Sequence, residues 1–138
     1  VIYDIAMIYF YNQDFVKSLE YINQLLNHEH LYTFKDLESY SHLIRIFIML
    51  EMNKTKKIDS LLENTKKKLS RDGKLFGMEN ALFRLLNDLC ITESENEKRK
   101  IILKHQPKIE KILENPMERK ALNYFNIQHW MQVKLPKK

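Results

Sequence analysis

The chain has 138 residues, the size of one domain, and its 23 lysines and arginines against 18 acidic residues leave a net charge of +5, too mild a bias to mark a nucleic-acid binder by itself. Only two glycines and three prolines punctuate it, which leaves too few sharp turns for a sandwich or barrel of many hairpins and predicts an all-α chain of long helices. One cysteine, Cys90, excludes an intramolecular disulfide.

The first helix runs through Ile5, Met7, Ile8, Tyr9 and Phe10 and stops at Asn12-Gln13. Asp14 is placed to cap the second, where Phe15, Ser18, Leu19, Ile22, Leu25 and Leu26 recur at the spacing of one buried face. So short a connection makes the two antiparallel neighbours. After a loop at 28–33, with Thr33 as cap, a long third helix carries Leu37, Tyr40, Leu43, Ile44, Phe47, Ile48 and Leu50, and Asn53-Lys54-Thr55 closes it. The fourth sets Ile58, Leu61, Leu62, Thr65 and Leu69 on one stripe and ends before Asp72-Gly73. The fifth spans about 76–91. Ser94 with Glu97 forms a capping-box pattern for the sixth, in which a kink or break is expected between His105 and Pro107. Asn115-Pro116 starts a final capping helix reaching about 135, with Trp130 in its core-facing set. The expected domain is thus a single one, with pairs at about 1–28, 34–71 and 75–114, a cap at 116–135, and about seven helices in all.

The order Ile5-Ala6-x-x-Tyr9, then Phe15-x-x-Ser18-x-x-x-Ile22-x-x-Leu25, resembles the tetratricopeptide (TPR) repeat. In that motif small residues stand where two helices cross closely and large ones fill the space around the crossing. A shift of 43, from Phe15 to Ile58, lays a degraded second unit over the third and fourth helices. The resemblance implies antiparallel pairs stacked as a right-handed α-α superhelix and a non-enzymatic interaction or scaffold role. It also implies a concave peptide-binding groove, carried over by register to Tyr3, Met7, Phe10 and Tyr11, then Ile46, Leu50, Asn53 and Lys54. Basic and asparagine side chains that would grip a terminal carboxylate are missing from Tyr3 and Met7. An exposed aromatic strip would suit a hydrophobic peptide instead. The alternative is that this strip packs against a preceding repeat, the chain then serving as the structural C-terminal cap of a longer repeat array, or against another copy of the chain. The stretch Tyr124-Phe125-Asn126-Ile127-Gln128-His129-Trp130 resembles the final helix of long TPR-bearing bacterial proteins. With Val1 in place of Met and the helical pattern already running, it reads as the C-terminal fragment of such a protein.

Other clusters read as ordinary structure. Lysines on the fourth helix (Lys56, Lys57, Lys66, Lys67, Lys68) and the sixth (Lys98, Lys100, Lys104, Lys108, Lys111, with Arg99) form a basic outer face. Glu63, Glu95, Glu97 and Glu110 are interleaved, however, and no aromatic lies among the charges, so nucleic-acid binding is the lesser alternative. His28-Glu29-His30 lacks a third metal ligand, and Glu38 with His42 lacks a nucleophile. Cys90 follows Leu85, Leu86 and Leu89 on a stripe and reads as a buried thiol. No catalytic constellation, metal site or cofactor motif is read. No run reaches the roughly 18 apolar residues of a membrane span and no signal peptide opens the chain, which favours the cytoplasm.

Overall fold

The computed structural model describes residues 1–27, 35–54 and 56–135. Among them are eight α-helices and no strand: α1 (Ile2–Tyr11), α2 (Phe15–Leu26), α3 (Lys35–Glu51), α4 (Ile58–Arg71), α5 (Gly77–Cys90), α6 (Glu95–Ile112), α7 (Pro116–Arg119) and α8 (Ile127–Lys134), with a 3-10 turn at Lys120–Asn123 between the last two. The all-α class is as the composition requires. The chain divides into two compact units, Val1–Lys74 and Leu75–Lys138.

In the first unit α1 pairs with α2, and α3 packs against α4 on one side and against α1 and α2 on the other. Asp14 caps α2 as expected, its carboxylate accepting from the Lys17 amide at 3.3 Å. The expected small-residue crossing is present: Ala6 and Ser18 are both fully buried. The Ser18 hydroxyl donates to the Ala6 carbonyl at 2.8 Å, a bond that only closely approaching backbones allow. Tyr9 stacks on Tyr21 beside this crossing, with centroids 5.7 Å apart.

Three helices in this unit end in the same way. Gln13, Asn53 and Gly73 each adopt a left-handed conformation, with φ of 64°, 58° and 70°. Each time the following amide reaches back to close the turn, Asp14 to Tyr9, Lys54 to Met49 and Lys74 to Leu69. Matching Gln13 to Asn53 sets an internal repeat of 40 residues, not 43. The buried stripes agree, because Ser18, Ile22 and Leu25 of α2 fall on Ile58, Leu62 and Thr65 of α4. The sequence register was set by where each second helix begins, and α4 begins one turn late. Asp14, the cap of α2, is Lys54 in the second copy, and α4 starts only at Ile58. In the corrected register Ala6 becomes Ile46 and Ser18 becomes Ile58. Two buried isoleucines therefore replace the small pair, and α3 and α4 share less close backbone approach than α1 and α2.

The second unit is built on α5 and α6, with α8 packed on α6. Ser94 caps α6 through the Glu97 amide at 3.4 Å. α6 continues through Pro107 without the expected break. Proline there frees the Leu103 carbonyl four residues earlier, but Leu103 and Pro107 both lie at the surface, where solvent can compensate for the lost helical bond. The expected final helix is instead divided. Asn115 caps the short α7, with Pro116 at its first position, and Asn126 caps α8 by accepting from the His129 amide at 3.1 Å. Asn126 offers the backbone a capped restart that a continuous helix would forgo.

Candidate functional site

The groove residues taken from the sequence are mostly interior. Tyr3, Met7, Phe10, Ile46 and Leu50 are buried, and only Tyr11 reaches the surface, with Asn53 and Lys54 exposed at the turn. The physical reason lies in the α1 stripe. Tyr3, Ala6, Met7 and Phe10 form the face that α1 buries, and Phe10 meets Phe15 of α2 edge-on at 5.7 Å. Ile46 stands at the crossing position of α3, where Ala6 stands in α1. The expected exposed aromatic strip is therefore corrected to core.

What α1 does expose is a different stripe, Val1, Asp4, Ile8 and Tyr11, at helical spacing. Ile8 is 60% exposed, and Val16 at the start of α2 is 59% exposed. In the 40-residue register Val1, Asp4 and Ile8 correspond to Ser41, Ile44 and Ile48 of α3, all of them buried. Sequence reading placed Ile8 among the apolar run of α1 and did not separate the two stripes.

A charged cluster joins α3 and α4. Glu38, buried on α3, receives Lys68 from α4 at 2.8 Å and Lys35 at 3.7 Å, while Asp72 lies 3.5 Å from Lys68 and 3.9 Å from Lys35. The hydrogen bond to Glu38 holds the Lys68 ammonium above its usual range. His42 is largely desolvated and faces the Arg45 and Lys68 cations. Both effects lower its pKa to about 4, outweighing the attraction of Glu38 and Asp72. Lys68, read from the sequence as part of an outer basic face, thus turns inward, and Lys67 is paired with Glu63 at 3.2 Å. Glu38 and His42 share a face as expected, but the partner of Glu38 is lysine.

In the second unit Glu118 of α7 reaches the N-terminus of α5. Its two carboxylate oxygens accept from the Gly77 and Met78 amides, each at 3.0 Å. A negative group there satisfies two otherwise unbonded donors and the positive end of the helix dipole. A Cβ at Gly77 would lie 3.2 Å from that carboxylate, so the missing side chain lets it in. Beside this cap an open groove of about 560 Å³ is lined by Gly77, Ile112, Asn115, Met117, Lys108 and Lys111, with Glu118 at its edge. His105 of α6 bonds Asp88 of α5 at 2.6 Å, and Cys90 is half-buried. The contacts of Glu118 and His105 join residues about 40 and 17 positions apart, and no local pattern in the sequence announces them.

Among the described residues no group of three or more His, Cys, Asp or Glu side chains is arranged to hold a metal ion. None of the helices there is long and apolar enough to cross a membrane. His28-Glu29-His30 and the Thr33 cap lie outside the described residues. The fold defines a class, an all-α protein of packed helix hairpins. Compared with known proteins, the chain matches no family model, no curated protein and no solved structure.

Proposed function

We propose that this chain is a non-enzymatic, TPR-like interaction module, and that the outer face of α1, continued by Val16, receives an amphipathic helix from a protein partner. The observation that carries this reading is the 40-residue repeat. The face that α3 buries through Ser41, Ile44 and Ile48 is exposed on α1 at Val1, Asp4 and Ile8. α3 packs substantially on two helices, its hairpin partner α4 and the preceding α2, whereas α1 packs mainly on its hairpin partner and only lightly on α3. A helix of the same chemistry as α2 is therefore the occupant that suits the bare face of α1. The Ser18–Ala6 crossing supports the TPR likeness, and the inward pairing of Lys68 weakens the nucleic-acid alternative.

The test uses a synthetic peptide covering residues 14–27, the α2 segment itself, titrated into isotope-labelled protein and followed by amide chemical shifts. Shifts centred on Ile8, Tyr11 and Val16 are expected, lost in an Ile8→Glu variant whose helical circular dichroism is unchanged. Shifts that avoid α1, or that persist in the variant, would sink the assignment.

A further inference from the structure

We propose that the groove at the C-terminal end of α6 is a second docking site, independent of the α1 face, for an acidic peptide that inserts an apolar side chain between Ile112 and Met117. Three observations converge on this occupant. The first is the apolar floor. Ile112 and Met117 line a concavity of about 560 Å³, within the size range of sites that hold small ligands and side chains. Met117 is 72% exposed, and an exposed, unbranched thioether is the kind of side chain that adapts its shape to an incoming apolar group.

The second is charge. Lys104, Lys108 and Lys111 lie at i, i+4 and i+7 on one exposed face of α6, and none of the three has a salt bridge among the described residues. Lys98 and Lys100, nearly two turns and one turn earlier, are by contrast held by Glu95 and Glu97. The three free ammonium groups rise along roughly 10 Å of helix at 1.5 Å per residue. Carboxylates one helical turn apart on a partner peptide would match that pitch.

The third is that the one acid at the groove is already engaged. Both Glu118 oxygens are bonded to the Gly77 and Met78 amides, so that carboxylate pairs with neither Lys108 nor Lys111, and the nearby Glu110 and Glu114, both exposed, form no salt bridge with them among the described residues. A nucleic acid would use the lysines but would leave the apolar floor empty, and no aromatic ring lines the groove to stack a base. An acidic peptide with an apolar anchor uses both.

The experiment measures fluorescence anisotropy of a labelled 12-residue peptide carrying a central leucine pair flanked by glutamates. Its comparators are the same peptide with alanines for leucines, the same peptide with lysines for glutamates, and a 12-nucleotide RNA. Saturable binding of the first alone is expected, weakened about tenfold or more by Lys108→Glu with Lys111→Glu and likewise by Met117→Asp. All three positions are exposed, and circular dichroism verifies that the fold is kept. Equal binding of the alanine peptide, equal or tighter binding of RNA, or indifference to Met117→Asp would each overturn the proposal. So would no binding of the acidic peptide at low salt. None of these outcomes depends on whether α1 docks a helix.

Discussion

His42 sits on α3 among charges of both signs, and its depressed pKa makes the first unit sensitive to acid. The folded value of about 4 lies below the ordinary 6.5, so between these pH values the unfolded chain binds more protons than the folded one. Stability from this group is therefore complete above pH 6.5 and is lost as pH falls toward 4. The 2.5-unit difference corresponds to about 3 kcal/mol at most. Urea unfolding at pH 7.5 and pH 4.5 should show a larger loss in the native protein than in a His42→Gln variant. An identical loss would mean that His42 does not carry the effect. In the sequence Glu38 and His42 could be seen to share a face, but not that Lys68 and Asp72 come from the next helix to surround them. Pairs four apart on one helix are legible from spacing, whereas pairs between helices require the hairpin register.

At the scale of elements, the helices were legible where local chemistry decides them. Asp14 and Ser94 cap where their side-chain oxygens predict, and Asn12-Gln13, Asn53-Lys54 and Asp72-Gly73 end helices through left-handed residues. Where two local signals compete, reading fell short: Pro107 in an otherwise strong helix, and Asn126 inside an otherwise continuous apolar pattern. The groove failed for a further reason. Periodicity finds the apolar stripes of α1 but does not say which one meets α2, and Tyr3, Met7 and Phe10 belong to the inner one. The crossing of α1 and α2 is the element most dependent on residue size. Ser18→Leu would put three heavy atoms beyond Cβ where one hydroxyl oxygen now bonds the Ala6 carbonyl. A loss of about 2–3 kcal/mol is expected from overpacking and the lost bond, measured by denaturant unfolding. Ser18→Ala, which removes the bond but keeps the spacing, should lose only about 1 kcal/mol.

For the molecule as a whole, the sequence announced an all-α chain and the order of its helices, and the boundary between the two units falls at the Asp72-Gly73-Lys74 turn that it marks. The length of the internal repeat was not legible, because the late start of α4 shifts the apparent register by three residues. Glu118 has a consequence for the order of events in folding. Its bonds to the Gly77 and Met78 amides close a chain segment of about 40 residues, and loop closure of that length is paid for after local helices and the α5–α6 hairpin have formed. Glu118→Ala should destabilise the second unit by about 1–2 kcal/mol. In stopped-flow experiments the change should appear almost wholly as faster unfolding, with the refolding rate unmoved. During synthesis, then, the first turn of α5 emerges well before the residue that finishes it. Until α7 arrives the cap of that turn is its own Glu79, whose carboxylate accepts from the Phe76 amide at 3.1 Å.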